Sequence, residues 1–367
     1  MVVPELERTI PLEVISASAL REAGAELTTG EMLGAIQSAW KDIRAGSALG
    51  GKGVLSLPED LFWNASGFGA LRQEFSAERL GWKLSALYSV GSQYAGVKII
   101  GANAFNRRFG LPRSTSTYIL MDRLSLRPIA IFDATAISAA RTGSYAAIVQ
   151  QAFLPGPDRF SVFIFGAGPV ARSVIETLDH VAGGLIERIF IRSRTVDTSI
   201  RLVQSLEGQV RAKLVAVEDN TELAACAFVV TASNAAAPVF RDQELHPAAV
   251  TLHLGGDEVP EPYLQRVLRS GTLVCDDLMT VARRNSQSLS LYFSRRGLAL
   301  DAIGPLLGIR ELSASEDWKA MPGEPVCVTC VGLPMLDLYA VQATYEKYLG
   351  LCGESDEVFR GAGGPGD

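Results

Sequence analysis

The chain has 367 residues, of which 48% are hydrophobic and 20% are charged, and its formal net charge is −6. This composition is typical of a globular protein with a sizeable core, and the length predicts one large domain or two ordinary ones. The acidic balance argues against general nucleic-acid binding, which requires a basic face. No apolar run approaches the ~20 residues of a membrane span, so membrane insertion is not expected.

The cysteines and the start of the chain predict a cytoplasmic location. Five scattered cysteines fit a reducing compartment better than a disulfide framework. Residues 1–14 show no basic region followed by an apolar one, so no signal peptide is predicted. Cys327 and Cys330 form a CxxC pair within a predicted strand, where residues three apart face opposite sides. We interpret this pair as buried packing and predict no metal site.

The N-terminal region predicts short elements that precede a sheet. Ile10–Val14 and Ala17–Leu20 are a candidate strand and a candidate helix. Glu31–Ile43 carries its apolar residues on one stripe, which predicts an amphipathic helix. We interpret Gly46–Gly53, which contains Lys52, as a flexible connector rather than a phosphate loop, because it lacks the Walker pattern.

Residues 54–133 alternate short apolar runs with turns, which predicts a mixed or antiparallel sheet. The runs are Val54–Leu57, Trp82–Val90, Val97–Ile100, Thr117–Asp122 and Pro128–Phe132. A polar loop before the fourth run carries Arg113, and the helical segment Ile137–Phe153 carries Arg141 and Thr142 in its first turns. The Pro- and Gly-rich stretch 154–157 then predicts a domain boundary.

The stretch from Phe160 to Arg194 has the pattern of a strand, a glycine turn, a helix and a second strand. Its glycine turn, Gly166–Ala171, reads GxGxxA, which in this context predicts dinucleotide binding rather than a plain βαβ turn. Gly166 permits a tight turn, and Gly168 lets the backbone approach a pyrophosphate.

The residues after the second glycine complete this predicted phosphate site. Pro169 and Val170 begin a helix whose free N–H groups and dipole favour phosphate binding. Ala171 lets this helix pack closely on the strand.

The end of the second strand indicates which dinucleotide binds. NAD is usually marked by an acidic residue that binds the ribose hydroxyls, but this strand ends in Arg192-Ser193-Arg194. A serine between two arginines can accept a 2′-phosphate, so both NAD and NADP are candidates and NADP is favoured.

Further apolar runs alternate with helical patterns, which predicts an α/β fold with a doubly wound, parallel, Rossmann-type sheet whose last strand is Leu273–Cys275. Thr231 and Ser233 end one predicted strand and are expected near the nicotinamide ribose. Asp257, in a Gly-Gly-Asp turn, follows strand Val250–Leu254 at the end where such sheets bind ligands.

In their order and spacing, these motifs resemble the ornithine cyclodeaminase/mu-crystallin family. The matching segments are Gly96–Lys98, Arg141-Thr142, Gly166–Ala171, Gly255–Asp257 and Val331–Asp337. The resemblance covers roughly residues 30–350. It implies hydride transfer between a nicotinamide and the Cα of a small amino acid, through an imine, in a homodimer formed by the first-domain sheet.

Within the family, some segments resemble the siderophore-pathway N-(1-amino-1-carboxyethyl)-glutamate dehydrogenases, which act on a glutamate-derived amine in making 2,3-diaminopropionate. These segments are Val97–Gly101, Pro112–Ser116 and Val274–Asp277. Gly255–Asp257 instead resembles the cyclodeaminases. Ornithine cyclodeaminase, cyclic-imine reductase, alanine-dehydrogenase-like activity and a non-catalytic NADPH-binding role therefore stay open.

The implied chemistry must hold a carboxylate, remove a proton from an amine and bring water to the imine. Arginine suits the first task, so Arg141 is the first candidate and Arg113 the second, for an extra carboxylate. Lys98, in an apolar strand, is expected to hold a carboxylate or to handle protons. Asp257 is expected to accept a proton or to orient water, and Asp337 to have a structural role near the site.

Four segments follow from the patterns and the resemblance. We expect a substrate-binding and dimerisation domain at 1–154, a Rossmann domain at 155–300, a return to the first domain at 301–352 and a flexible tail at 353–367.

Overall fold

The computed structural model describes residues 12–361 except 66, 77–78, 157 and 316–322, and it describes no side chains at 65 or 353–361. The described residues form a six-stranded sheet, an eight-stranded sheet and the helices that cover them. This is the α/β fold with a Rossmann-type sheet and a second domain that the sequence predicts.

The first sheet is antiparallel from its second to its sixth strand, and its short first strand runs parallel to the sixth. Its strands are β1 (Glu13–Ile15), β2 (Leu49–Ser56), β3 (Lys83–Val90), β4 (Tyr94–Ala102), β5 (Ser114–Asp122) and β6 (Pro128–Asp133). The spatial order is β1-β6-β5-β4-β3-β2. The helices in this part of the chain are α1 (Ala17–Glu22), α2 (Thr29–Arg44), α3 (Glu59–Ala65), α4 (Thr135–Gly143) and α5 (Tyr145–Phe153).

β2 corrects the interpretation of the glycine-rich stretch as a flexible connector. It pairs with β3 over its whole length, from Leu49 opposite Val90 to Ser56 opposite Lys83. Glycine is tolerated here because β2 is an edge strand and because Gly51 lies against the Tyr88 ring, where a side chain would collide. Lys52 therefore has a fixed place on a sheet. The predicted strand Ile10–Val14 is confirmed at Glu13–Ile15, and residues 10–11 lie outside the described part.

The second sheet is entirely parallel. Its strands are β7 (Phe160–Phe165), β8 (Ile186–Arg192), β9 (Lys213–Val217), β10 (Phe228–Thr231), β11 (Val250–His253), β12 (Thr272–Cys275), β13 (Arg310–Glu311) and β14 (Val326–Thr329). The helices are α6 (Pro169–Ala182), α7 (Val196–Leu206), α8 (Glu261–Ser270), α9 (Leu278–Arg284), α10 (Ser288–Ser294), α11 (Leu300–Ile303) and α12 (Pro334–Gly361). The order β13-β12-β14-β11-β10-β7-β8-β9 reverses direction between β7 and β10, and such a reversal is where open α/β sheets bind ligands.

The strand assigned to a return into the first domain belongs to the second sheet. β14 pairs with β11 on one side and β12 on the other. Its residues are all buried, as expected for a central parallel strand covered on both faces. The prediction that Leu273–Cys275 is the last strand, and that the chain leaves this sheet at residue 301, was therefore wrong.

The last helix crosses from the second sheet to the first. α12 packs against α2, β3 and β4 of the first domain. Its backbone is helical to Gly361, so residues 353–361 extend the helix where a flexible tail was expected, and 362–367 lie outside the described residues. Glu354, Glu357 and Arg360 are good helix formers, which offset the glycine at 353. None of the described helices combines the length and apolarity needed to cross a bilayer.

Helices α4 and α6 hold the two domains together at close range. A Cβ added to Gly143 would lie 2.5 Å from the backbone carbonyl carbon of Ser173 in α6. Only glycine lets the two backbones approach this closely. α4 is thereby fixed against the helix that follows the GxGxxA turn.

We predict that Gly143→Ala lowers the free energy of unfolding by about 1–3 kcal/mol, because the added methyl must push α4 away from α6. Thermal unfolding measures this change directly. Gly34→Ala is the matched control, because Gly34 lies inside α2 with nothing within 4 Å of an added Cβ. That substitution should raise stability by about 0.4–1 kcal/mol. Equal effects in the two variants would refute the close packing at Gly143.

Candidate active site

The GxGxxA turn has the geometry that a bound pyrophosphate requires. Gly166 has φ +118°, and a Cβ there would lie 2.5 Å from the carbonyl oxygen of Ala232. Gly168 is the N-cap of α6, and no atom lies within 4 Å of its Cβ position. Pro169 follows at the start of α6, next to Val170, and Ala171 is completely buried against the strand. The open space beside Gly168 and the uncapped first turn of α6 therefore fit a dinucleotide phosphate.

The residues after β8 are partly engaged within the protein. Arg192 donates hydrogen bonds to Asn220 Oδ1 at 2.7 Å and to the carbonyl of Val239 at 3.2 Å. Ser193 Oγ donates to the carbonyl of Thr195 at 2.8 Å, and Arg194 is exposed. Arg192 thus holds the neighbouring loops, and contact of Ser193 or Arg194 with a cofactor stays a prediction.

Thr142, Thr231 and Ser233 each have a partner inside the protein. Thr142 Oγ1 donates to the carbonyl of Ser138 at 2.7 Å, as a helical threonine commonly does. Thr231 Oγ1 lies 3.0 Å from His253 Nδ1. The Ser233 backbone N–H donates to Glu258 Oε1 at 3.0 Å. The structure therefore gives these three residues local hydrogen-bonding roles, and their contact with a cofactor stays a prediction.

A row of residues across the first sheet faces the second domain. Lys52 lies opposite Leu87, Leu87 opposite Lys98, and Lys98 opposite Tyr118. Directly opposed residues share one face of a sheet, so the two lysines point to the same side. Lys98 is 0% exposed.

Lys98 is part of a buried cluster with Asp337 of α12 and Arg141 of α4. Lys98 Nζ lies 2.5 Å from Asp337 Oδ1, and Arg141 Nε donates to the same oxygen at 2.6 Å. Lys98 Nζ also donates to Ser138 Oγ at 3.0 Å. We call Lys98, Arg141 and Asp337 the buried triad. It is formed from a strand, a helix and the start of a second helix, far apart in the chain.

The triad leaves polar atoms for a ligand. Within the described part of the chain, Arg141 Nη1 and Asp337 Oδ2 are buried without a hydrogen-bond partner. Buried polar groups are rarely left unsatisfied in proteins. A buried arginine N–H that has no protein acceptor is well suited to donate a hydrogen bond to a substrate carboxylate.

The two cations of the triad, Lys98 and Arg141, differ in how readily they lose a proton. Burial lowers the pKa of Lys98 to about 7, although Asp337 acts in the opposite direction. Burial alone would raise the pKa of Asp337, but Arg141 and Lys98 outweigh it and lower that pKa. Arginine keeps its charge at all relevant pH values. Lys98 can therefore exchange a proton near neutrality, while Asp337 stays ionised.

A short loop after β14 fits around Arg141. Gly332 has φ +84°, and a Cβ there would lie 2.6 Å from Arg141 Nη1. The N–H groups of Val331 and Gly332 donate to Asp276 Oδ2 at 2.9 and 2.8 Å, and Tyr145 Oη donates to it at 2.9 Å. Buried Asp276 thus holds in place the loop that packs against the Arg141 guanidinium. These contacts give a structural role to two segments singled out in the sequence, Val331-Gly332 and Asp276-Asp277.

Five more cations lie near the triad. Lys52 Nζ and Arg284 Nη1 both donate to the carbonyl of Val331, each at 3.1 Å. Burial is the main cause that lowers the pKa of Lys83 to about 7. The nearby charges of Arg284, Arg113 and Arg79 act on this pKa in the same direction. Arg113 is therefore in the cationic region of the site, though not in the triad.

The structure does not place Asp257 with the triad. Asp257 Oδ2 accepts a hydrogen bond from Arg295 Nη2 at 2.5 Å, in an ion-pair group that includes Glu261. Its neighbour Glu258 is 0% exposed, and burial raises the pKa of Glu258 to about 7. Glu258 Oε2 is buried without a hydrogen-bond partner in the described structure. A catalytic role for Asp257 stays a prediction, and Glu258 is the carboxylate that sequence reasoning missed.

Other residues were missed for definable reasons. Lys52 was hidden in a glycine-rich stretch, and Lys83, Arg79 and Arg284 carry no motif. The alternation of β3, in which Ser85 and Leu87 are buried, could have placed Lys83 on the inner face. No comparable signal marks Arg79 or Arg284. No group of three or more His, Cys, Asp or Glu that could hold a metal occurs among the described residues.

We predict that Glu258→Gln changes how stability depends on pH. The raised pKa of Glu258 in the folded state stabilises the fold below pH ~4.5, and this stabilisation is lost as the pH rises through ~7. The free energy of unfolding of the wild type should therefore fall by up to about 3 kcal/mol relative to Glu258→Gln between pH 4.5 and 7. Urea denaturation at several pH values measures the difference. Asp257→Asn is the control, and a pH-independent difference for Glu258→Gln would contradict the prediction.

Two curated relatives have enzyme names. An uncharacterized cyclodeaminase of Dictyostelium discoideum is 28% identical over 171 residues, which are 42% of this chain and 46% of that protein. The chain thus matches about half of that relative's length. The alanine dehydrogenase of Archaeoglobus fulgidus is 22% identical over 259 residues, 70% of this chain and 77% of that protein.

One solved structure shows the same fold over nearly the whole chain. It is the Δ1-pyrroline-2-carboxylate reductase of Thermococcus litoralis in complex with NADH and L-proline, which is 18% identical with a TM-score of 0.75. The similarity covers 92% of this chain and 98% of that one. The ornithine cyclodeaminase/mu-crystallin family model matches residues 81–296, which are more than half of the chain. The protein therefore belongs to the ornithine cyclodeaminase/mu-crystallin family.

Proposed function

We propose that the protein is an NAD(P)-dependent oxidoreductase that acts on the Cα-amine of an amino acid through an imine. The observation that carries this proposal is the buried triad. It supplies a permanent cation and a lysine of near-neutral pKa. α4, which bears Arg141, packs directly on the helix of the GxGxxA turn. The family and the names of its relatives support the same reaction class.

Each residue of the triad has a different role in this proposal. Arg141 holds the α-carboxylate through Nη1, because this donor is buried and free of protein acceptors. Lys98, in its neutral form, accepts the proton that leaves the substrate nitrogen. Asp337 keeps both side chains in place and remains ionised between them.

When bound, a nicotinamide would accept the hydrogen and the electron pair that leave Cα. The nitrogen proton goes to Lys98, and a C=N bond forms. Water adds to the imine carbon, and the C–N bond breaks to give a carbonyl compound and an amine. In the reverse direction the same residues reduce an imine.

We propose a glutamate-derived secondary amine, such as N-(1-amino-1-carboxyethyl)-glutamate, as the substrate. The segments around Lys98 and Arg113 support this assignment, as does the number of cations around Lys83. Cyclodeamination, cyclic-imine reduction and alanine-dehydrogenase-like chemistry use the same triad and are the alternatives. The relatives' names favour these smaller substrates.

NADP(H) is the proposed preferred cofactor. The run Ile191–Thr195 at the end of β8 contains no acidic residue, and exposed Arg194 lies next to Ser193. Arg192 no longer supports this preference, since its guanidinium binds Asn220 and Val239. The solved structure of the Thermococcus litoralis enzyme is a complex with NADH, which favours NAD(H) as the alternative.

A homodimer formed through the first sheet is also proposed. The outer face of this sheet exposes apolar side chains: Leu55, Leu84, Tyr88 and Ile99 are 60%, 50%, 57% and 41% exposed. Apolar patches of this kind mark interaction surfaces.

The five free cysteines support a cytoplasmic location.

We predict that Lys98→Met lowers kcat/KM for amine oxidation at least 100-fold and leaves cofactor affinity unchanged. The assay follows cofactor reduction with N-(1-amino-1-carboxyethyl)-glutamate, ornithine and alanine as candidate substrates. In the wild type, kcat/KM should rise with pH through about 7, because only neutral Lys98 accepts a proton.

The control is Lys213→Met, a lysine in β9 that is exposed. If Lys98→Met kept its activity, the assignment of Lys98 would be wrong. If the wild type bound NADPH tightly and turned over no amine or imine, the non-catalytic NADPH-binding role would replace the enzymatic one.

We predict that Arg194→Ala weakens NADPH binding about tenfold and leaves NADH binding unchanged, since only NADPH carries a 2′-phosphate. Quenching of protein fluorescence by each cofactor measures both affinities. An equal change for NADH and NADPH would mean that Arg194 does not select the cofactor.

A further inference from the structure

The loop 232–235, which follows β10, lies directly beside the dinucleotide turn. The Ala232 N–H donates to the carbonyl of Phe165, the last residue of β7, at 2.7 Å. The Ala232 carbonyl oxygen lies 2.5 Å from the Cβ position of Gly166. A dinucleotide crosses the sheet where the strand order reverses, with its adenosine half on the β8 side. Its nicotinamide half is therefore expected on the β10 side, next to this loop.

A buried carboxylate, Glu258, holds the loop in its conformation. Glu258 Oε1 accepts the Ser233 N–H at 3.0 Å and a second hydrogen bond from Ser233 Oγ. Ser233 Oγ in turn accepts the N–H of Ala235 at 3.1 Å. One acidic side chain, which lies in the loop between β11 and α8, thus shapes the whole segment 232–235.

The backbone leaves a space that only this carboxyl fills. A Cβ at Gly255 would overlap the Glu258 carboxyl, so glycine is needed there. Glu258 is completely buried, and its Oε2 has no hydrogen-bond partner in the described part of the chain. A buried carboxyl with an unpaired oxygen destabilises a fold. Its presence therefore requires a reason other than stability.

The first domain is attached to the same loop through Arg79. Asn234 donates through Nδ2 to the carbonyl of Arg79 at 2.6 Å, and the Arg79 N–H donates to the Asn234 carbonyl at 3.3 Å. The Arg79 guanidinium lies against Gly256, where an added Cβ would collide with it. Its positive charge favours the ionised form of Glu258. The loop therefore connects the dinucleotide turn, Glu258 and the first domain.

The charges around Glu258 let it exchange a proton near neutral pH. Burial raises the pKa of Glu258 to about 7, against the effect of Arg79. His253, on β11, stays neutral because burial lowers its pKa to about 3. Asp257 is paired with Arg295 of the following helical region. Since an ionised carboxylate accepts stronger hydrogen bonds than a neutral carboxyl, Glu258 should hold the loop more firmly as the pH rises through 7.

We propose that Glu258 is a positioning residue for the nicotinamide half of the dinucleotide. It acts through the loop 232–235 and does not need to touch the cofactor. The matched motif Gly255–Asp257 ends one residue earlier, so this role is separate from the one predicted for Asp257. The inference rests on the proposed function only in assuming that NAD(H) or NADP(H) binds at the Gly166 turn.

The test is calorimetric titration with NADH and with ADP-ribose, which lacks the nicotinamide. Glu258→Ala should weaken NADH binding about tenfold, because charged hydrogen bonds to the loop are lost. ADP-ribose binding should be unchanged, because its contacts lie at the turn and on the β8 side. A merely structural role for Glu258 would weaken both ligands equally.

Glu258→Gln is the conservative variant. It should restore most of the NADH affinity that Glu258→Ala loses, because its amide oxygen still accepts the Ser233 N–H. In the wild type, the preference for NADH over ADP-ribose should increase about fivefold as the pH rises through 7, and in Glu258→Gln it should stay constant. Glu261→Gln is the control and should match the wild type, because Glu261 pairs with Arg296 on the surface.

Gly255→Ala is a second variant, in case Glu258→Ala does not fold. It displaces the Glu258 carboxyl without removing its charge and should cause the same loss, while ADP-ribose binding shows that the protein is folded. Unchanged NADH affinity in both variants, or equal losses for the two ligands, would overturn the inference. A pH response that persists in Glu258→Gln would overturn the role of Glu258 ionisation.

The outcomes also separate this inference from the proposed function. If neither ligand bound the wild type, the inference and the proposed function would both be overturned. The expected losses in a protein that turns over no amine or imine would support the positioning role and refute only the proposed function.

Discussion

One buried carboxylate, Asp337, holds the two cations on which the proposed chemistry depends. Its Oδ1 contacts both Lys98 Nζ and Arg141 Nε. Removing one partner of a buried ion pair typically costs about 3–5 kcal/mol, because a charge is left uncompensated. Such an arrangement is costly to assemble, and stability alone does not require it. What the arrangement provides is two cations that behave differently. The Arg141 guanidinium always carries its charge, whereas the Lys98 amine loses its charge near neutral pH.

The rest of the fold brings this carboxylate and its partners to the nucleotide edge. α4 supplies Arg141 and packs on α6 through Gly143, so that the anion-binding cation and the phosphate-binding helix move together. β14 enters the second sheet and leads through Gly332 into α12, which carries Asp337 back to the first sheet. Asp276 binds the connecting backbone at Val331 and Gly332. Each domain therefore completes the site of the other.

Local sequence was sufficient for the elements with strong periodicity or a fixed turn. The apolar strand, GxGxxA turn and helix after Phe160 were predicted and are confirmed, because glycine geometry and helix spacing are local properties. The sequence could not place β14. A run of four apolar residues shows that a strand is buried, but not which sheet buries it.

Long-range electrostatics were the least predictable. The apolar strand around Lys98 left open whether that lysine was exposed or buried, and the family resemblance favoured a role in the site. Its proximity to Asp337, 239 residues later in the chain, could not be read from spacing. Asp257 and Glu258 show the opposite difficulty. Both lie in the loop between β11 and α8, and only the packing decides that Asp257 binds Arg295 while Glu258 is buried.

A crystal structure of the protein with a nicotinamide cofactor and an amino-acid inhibitor would test the central claim most directly. The account predicts that the inhibitor's α-carboxylate accepts a hydrogen bond from Arg141 Nη1. Its nitrogen should lie within hydrogen-bonding distance of Lys98 Nζ, and its Cα against the nicotinamide ring. An inhibitor bound away from Arg141, or a cofactor that does not reach the Gly168 turn, would contradict it.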